Sequence, residues 1–381
     1  MAKGSRGQWH ELQDFRLYTE MATIAEAIDT CLLNAREEIL LEIYIFEAGD
    51  WPARVLDILV AKAEAGVRVH LTLDAIGCMA FPRAWVQRLR QAGAHLVWYH
   101  RLDYLNLRQT MRRTHRRILV VDGRFAALGG FAIADAWLTG AWTGQPYREL
   151  MVCFGGPLAT QMRMAFGSTH RVPLLPLRAA MPGGAAAPVL GKGRLLLNSP
   201  PGRNTIHERL LAAIRAARTH VWIATPYFNP DFWVRRALYQ AAHRGVDVRI
   251  LLPGPLTDHP ILRHGVRRYY HRMLAAGVRI FEYSPAFLHS KCTVVDGRWA
   301  TVGSANLDLL SHWFNRELNL ECRGRPLVNL LVTLLSREFQ QSQEITLASW
   351  LARPRWQRVL ENGLGIVDRV LQKSALARYR R

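Results

Sequence analysis

The sequence predicts an α/β fold built twice in tandem, each unit a mostly parallel sheet flanked by helices, and three observations predict it. Apolar strand-like runs alternate with helical stretches along most of the 381 residues. Segments of one half match segments of the other: AGVRVHLTL resembles RGVDVRILL, QAGAHLVWYH resembles AAGVRIFEYS, and HRRILVVDGRFAALGG resembles HSKCTVVDGRWATVGS. The matched positions keep one offset, since His115 and His289, like Asp122 and Asp296, stand 174 residues apart.

Taken in order, the first half opens with a helical pattern over 23–38 and an apolar run, ILLEIYIFE, over 39–47. A helix near 53–65, a strand over 67–74, a helix near 83–92 and a strand over 94–100 follow by the same periodicities. HRRILVVDG and FAALGG then read as a hairpin around Gly123, and ELMVCFGG over 149–156 closes the half. The second half repeats the series with helices near 205–217, 231–244 and 261–276. Its strands are expected over 219–227, 247–254, 278–284, 289–297, 299–304 and 317–324. Residues 1–156 are thus the first unit and 194–342 the second. The Pro-, Gly- and Ala-rich stretch 157–193 reads as a linker, and 343–381 as a basic, amphipathic C-terminal segment.

Half of the residues are hydrophobic, so each unit can bury a core, and disorder is not expected. The net charge of +20 calls for an anionic partner, either nucleic acid or an acidic membrane surface. The five cysteines (Cys31, Cys78, Cys153, Cys292, Cys322) are scattered and read as reduced, buried thiols. No run of about 18 apolar residues is present and the first residues are polar, so membrane contact is expected to be peripheral. No His or Cys cluster has metal-ligand spacing, so no metal and no cofactor is expected, and activity should survive chelators.

Each half carries a His, a cation two residues on, and an Asp five beyond: His115, Arg117, Asp122 and His289, Lys291, Asp296. Along an extended chain positions i and i+2 share a face, so each His sides with its cation while the Asp, at an odd separation, faces away. Asp122 and Asp296 are therefore expected to be structural. A cation beside an imidazole serves phosphoryl chemistry, because the cation holds the non-bridging oxygens while the imidazole attacks phosphorus or protonates the leaving oxygen. Two histidines permit a covalent phosphohistidine route in which the second acts as acid and then base. Each needs an orienting partner, and Glu149 and Glu317, which open the strands after the two hairpins, are the candidates. Ser304 and Asn306 of the GSAN segment add donors for a phosphate. One H-x-K-x4-D match arises readily by chance; two at corresponding places of a duplicated chain do not.

These motifs resemble the phospholipase D superfamily over most of the chain, from about Leu17 to Ser342. RTHRRILVVDGR with its LGG, LHSKCTVVDGRWATVGSANLD with its NRELNL, and RHGVRRYYHRMLAAGVRIFEY look most like bacterial cardiolipin synthases of the B type. The resemblance implies one active site shared between the units, His115 as nucleophile, His289 as acid and base, and metal-free transfer of a phosphatidyl group to phosphatidylglycerol. It further implies anionic phospholipid substrates and a peripheral place on the cytoplasmic side of the bacterial inner membrane. Two positions depart from the family pattern: Arg117 stands where lysine is usual, and Ala132 where the second half has Asn306. Ala132→Asn is then expected to leave activity intact or raise it. Arginines at 108, 112, 113, 263, 267, 268 and 272 precede the two motifs and are expected to meet anionic headgroups. The alternatives are a nucleic-acid phosphodiesterase of the same chemistry, which the charge also fits, and a non-catalytic protein that binds anionic membranes.

Overall fold

The computed structural model describes residues 8–101, 110, 112–141, 143–176, 190–200 and 204–354. The first sheet has seven strands in the order β2-β8-β7-β6-β3-β4-β5. They are β2 (Gln13–Glu20), β3 (Glu38–Ile43), β4 (Arg68–Asp74), β5 (His95–Tyr99), β6 (Ile118–Val121), β7 (Phe125–Gly129) and β8 (Arg148–Gly155). The second sheet has nine, in the order β1-β9-β15-β14-β13-β10-β11-β12-β16. Its members are β1 (His10–Glu11), β9 (Lys192–Asn198), β10 (His220–Ala224), β11 (Asp247–Pro253), β12 (Arg279–Tyr283), β13 (Cys292–Val295), β14 (Trp299–Gly303), β15 (Glu317–Arg323) and β16 (Ser342–Ile345). The run β8-β7-β6-β3-β4-β5 therefore has its counterpart in β15-β14-β13-β10-β11-β12, which is the duplication in three dimensions.

The sheets are mixed rather than mostly parallel. Only β3, β4 and β5, and their counterparts β10, β11 and β12, run parallel to each other. Crossover helices join those strands: α2 (Asp50–Glu64) and α3 (Arg83–Gln91) in the first half, and α7 (Phe232–His243) between β10 and β11 in the second. Helix α6 (Thr205–Ala216) lies before them, between β9 and β10. Beyond the parallel trio, the hairpins at Gly123 and Gly297 send the chain back antiparallel. The stretch expected as one helix over 261–276 is two short ones, α8 (Pro260–Arg267) and α9 (Tyr270–Ala275).

Those hairpins explain the two aspartates. Asp122 and Gly123 have φ of 51° and 61°, and Asp296 and Gly297 have 53° and 59°, the left-handed pair that a tight hairpin demands. Each carboxylate turns away from the motif histidine to collect backbone donors. Asp122 accepts from the amides of Arg36, Glu37 and Glu38 at 2.8–3.0 Å, and Asp296 from those of Arg218, Thr219 and His220 at 2.8–3.1 Å. Asp122→Ala should therefore lower stability by about 2 kcal/mol or more while the folded fraction keeps its turnover per molecule. A denaturant melt read beside specific activity checks this, and a stable but inactive variant would put Asp122 in the chemistry.

Three cores hold the layers. One lies between the first sheet and α1 (Met21–Leu33), α2 and α3, and another between the second sheet, α6 and α7. The third is shared: Leu40, Val120 and Phe154 of the first sheet join Leu195, Val294 and Leu320 of the second, together with residues of α5 (Gly156–His170) and α11 (Arg325–Gln340). Both faces of β3 and β6 are covered, so every position is buried and all but Glu38 and Glu42 of β3 are apolar. The range read as a linker thus contains nearly all of helix α5 and the start of β9, and within it 177–189 lie outside the described residues. β1 pairs with β9 of the second sheet, so the start of the chain is tied to the second half. Of the C-terminal segment, β16 and α12 (Leu347–Leu351) belong to the second half, whereas 355–381 fall outside the described residues. Four of the five cysteines are buried and all are free.

Candidate active site

The two halves meet at the motif histidines. Backbone ties run both ways across the junction: the amide of His115 donates to the carbonyl of Arg316 at 2.9 Å, and that of His289 to Arg148 at 2.7 Å. Next to each tie begins a strand, β15 or β8, whose first or second residue is a glutamate. The carboxylates cross over. Glu317 holds His115 Nδ1 at 3.0 Å, and Glu149 holds His289 Nδ1 at 2.6 Å. All four side chains are buried. With Nδ1 committed to a carboxylate, the tautomer is fixed and Nε2 is the nitrogen left for chemistry.

The cations stand where the i, i+2 spacing predicts. Lys291 Nζ lies 2.8 Å from Nδ1 and 3.1 Å from Nε2 of His289. Arg117 donates from Nη1 to the His115 carbonyl at 2.7 Å, and its buried Nε has no partner among the described residues. Both cations are almost wholly buried. Charge crowding in a dry cleft sets the protonation. Burial, then Arg117, push His115 down to about 4 against the pull of Glu317. Burial, Lys291 and Arg117 hold His289 well below the usual histidine range. Burial brings Lys291 down to about 7 although Glu149 pulls the other way, and burial lifts Glu149 up to about 7 although Lys291 opposes it.

Ser304 and Asn306 divide. The Ser304 hydroxyl donates to Glu317 Oε2 at 2.5 Å, so it steadies the carboxylate rather than offering itself to a phosphate. Its counterpart in the first half is Gly130, where an added Cβ would stand 2.6 Å from Glu149 Oε1. Lacking a serine, Glu149 accepts from its own neighbour, the Leu150 amide, at 2.8 Å. Asn306 is buried with Oδ1 unpaired among the described residues, and it lines a small cavity with Lys291. Ala132 is fully buried in the first core beside Phe131 and Ile133. The sequence expectation for Ala132→Asn is corrected here, because an amide at 132 would enter packed apolar surroundings, not an open half-site.

Several contributors escaped the sequence. Arg116, one residue from the motif cation, is wholly buried and bonds the carbonyls of Glu317 and Asn198 and the Ser199 hydroxyl. Tyr44 packs edge-on to His115 at 4.9 Å, and Trp137 to His289 at 4.4 Å. Nothing in local sequence patterns marks these, because Tyr44 and Trp137 lie far along the chain from the histidines they touch. The expected headgroup arginines are mostly spoken for. Arg113 is buried against the carbonyls of Tyr99 and His100, Arg263 and Arg267 lie 2.6 and 3.8 Å from Glu282, and Arg108 falls outside the described residues. Arg272 is exposed. His207, Asp231 and His312, which no sequence spacing links, also converge, with one possible ligand atom of each within 4.8 Å of the others.

Residues 210–342 match the family model described as cardiolipin synthase, PLD-like domain, so the class is that of phospholipase D-like enzymes. The chain is 34% identical over 328 residues to cardiolipin synthase A of Pseudomonas putida strain W619, which covers 84% of this chain and 67% of that protein. It is 31% identical over 360 residues to cardiolipin synthase A of Klebsiella pneumoniae strain 342, covering 91% and 73%. The chain belongs to the cardiolipin synthase family. These relatives carry the A-type name; the B-type resemblance rests on the motifs alone. The fold is shared with the phosphatidylserine synthase of Haemophilus influenzae Rd KW20 at a TM-score of 0.74, with 14% identity over 97% of both chains.

Proposed function

We propose that this chain makes cardiolipin or a related phospholipid by transphosphatidylation through a phosphohistidine, with anionic, phosphatidylglycerol-like lipids as substrates. The observation that carries the reading is the crossed pair of buried histidine–glutamate contacts between two cations. His115, neutral above about 4, attacks the donor phosphorus from Nε2. The P–O bond to the leaving alcohol breaks, and that oxygen takes the proton on His289 Nε2, while the proton shared by the Glu149 carboxyl and His289 Nδ1 passes to Nδ1. The acceptor hydroxyl then loses its proton to His289 and attacks, the P–N bond breaks, and His115 returns neutral. Arg117, Lys291 and Asn306 hold the non-bridging oxygens. Incubation with labelled phosphatidylglycerol, beside labelled single-stranded DNA, tests this by mass spectrometry of the lipid products. Cleaved DNA with unchanged lipid would sink it.

The protonation of the free protein predicts a pH profile. Lys291 and Glu149 each lose a proton as pH rises through about 7, and both losses remove positive charge or the shared proton. The value of kcat/KM, which reports the free enzyme, should fall above about pH 7, with its acidic limb down near 4. The kcat limb should lie higher, because a bound phosphate anion favours the protonated forms. A kcat/KM that stays level across both limbs would contradict the assignment.

The proposed location is the cytoplasmic face of the bacterial inner membrane, held peripherally. Among the described residues no helix is long and apolar enough to cross a membrane. Phe232 and Trp233 on α7, with Leu310 and Trp313 on α10 (Leu309–Trp313), are exposed, and the net charge of +20 favours anionic bilayers. Binding to vesicles should require anionic lipid and weaken as salt rises, with each basic residue near the surface contributing about 1 kcal/mol. Co-sedimentation over a salt series checks it; tight binding to zwitterionic vesicles at high salt would point to apolar insertion alone.

A further inference from the structure

Beside the motif residues, three side chains distant in sequence come together in the second half. His207 lies in the first turn of α6, Asp231 is the N-cap of α7, and His312 sits in α10. One ligand atom from each lies within 4.8 Å of the others. Asp231 Oδ1 accepts from the Val234 amide at 2.9 Å, which leaves Oδ2 as the other oxygen, 2.8 Å from His207 Nε2. Among the described residues His207 Nε2, Asp231 Oδ2 and His312 Nδ1 are buried without an aligned hydrogen-bond partner.

A buried histidine–aspartate contact accounts for two of these residues as a local ion pair. It does not account for His312, whose side chain is only 3% exposed and whose ring lies 4.7 Å from that of His207. The two rings meet edge to face, which gives neither ring nitrogen a hydrogen-bond partner, and an unpaired buried ring nitrogen costs free energy. A shared cation removes that cost. We propose that His207, Asp231 and His312 form a binding site for a divalent first-row metal ion of the zinc class.

Two imidazoles and one carboxylate are the donor set of zinc sites that keep a fourth position for water. Ligand atoms around tetrahedral zinc stand roughly 3.3 Å apart, so the His207–Asp231 contact must open by a few tenths of an ångström. The supporting shell is in place: Asn204 Oδ1 accepts from the His207 amide at 3.0 Å, and Asn204 and Asn198 donate to the His312 carbonyl. His207 and Asp231 are 12% and 11% exposed, which leaves an entry path from solvent.

The ion would act at a distance from the reacting atoms. His312 lines the same small cavity as Lys291 and Asn306, and the hydroxyl of its neighbour Ser311 accepts from the Asn306 amide at 3.1 Å. Clamping α10 to α6 and α7 therefore fixes the backbone that presents Asn306. The role is structural, and its measurement need not use turnover.

The test uses the untagged full chain, stripped with a chelator and dialysed, and titrated with Co2+ as a spectroscopic probe. Expected are visible bands of four-coordinate cobalt that saturate at one equivalent per chain, disappear on addition of Zn2+, and accompany a rise in thermal midpoint. His207→Gln and His312→Gln, each checked for native circular dichroism, should lose the bands and the rise. Absence of saturable binding by the unaltered chain overturns the proposal whatever the variants do. Full retention of binding by both folded variants overturns it equally.

Discussion

His115→Ala and His289→Ala should each lower turnover on the order of 10⁴-fold, and the double variant should be little worse than either single. The reason is that the two imidazoles serve one displacement: with the nucleophile gone there is no intermediate, and with the acid gone the alkoxide leaves unprotonated. Removing one makes the other useless, so the losses do not add. The two variants part company on a donor whose leaving group is p-nitrophenol, which departs without a proton. With it, His289→Ala should still form and accumulate a phosphoenzyme, stable to alkali and labile to acid, while His115→Ala should form none. The reverse pattern would exchange the roles. Orientation enters as a smaller effect, since Glu317 lies 3.0 Å from His115 Nδ1 and Glu149 2.6 Å from His289 Nδ1. Glu317→Gln or Glu149→Gln should cost about ten- to a hundredfold, the usual penalty for losing a group that orients an imidazole.

Asn306→Ala carries the second large effect, about a hundred- to a thousandfold in kcat. Ser304 is occupied with Glu317 and the position matching Asn306 in the first half is the buried Ala132, so no equivalent amide stands by to replace it. The loss should appear mainly in kcat, because charge on the non-bridging oxygens grows towards the transition state. Steady-state rates on folded protein decide it, and a wild-type rate would mean that the phosphate is held elsewhere. Ala132→Asn, by contrast, should destabilise the chain by about 1–3 kcal/mol through an unpaired buried amide, without any gain in rate.

Much of this was legible in the sequence because the informative residues are local and repeated. The strands over 67–74, 125–130 and 247–254 fall within a residue of those observed, since their runs are apolar, short and bounded by turn residues. Parity along the extended chain put Asp122 and Asp296 on the face away from their histidines, and their carboxylates do turn to backbone amides. What the sequence hid is of two kinds. β2 is mostly polar and half exposed, and α5 begins at a glycine pair inside a stretch dominated by Pro, Gly and Ala. Local patterns also cannot tell a paired arginine from a free one, so Arg113 and Arg263 counted as surface charge although each is held by acceptors within the fold. The exchange of glutamates between halves, and the meeting of His207, Asp231 and His312, depend on tertiary closure alone.

That exchange gives the molecule the logic of an isologous dimer folded into one chain, in which residue i of one copy touches residue j of the other and the reverse holds as well. One hinge-like displacement of half against half would lengthen both His–carboxylate contacts together, so both imidazoles would lose their tautomers in the same motion. Duplication has left neither copy self-sufficient. Yet it has let them diverge in the small things, a serine behind Glu317 and a bare glycine behind Glu149, so that a symmetric scaffold offers two chemically distinct hands to the proposed reaction, in which one attacks and the other protonates.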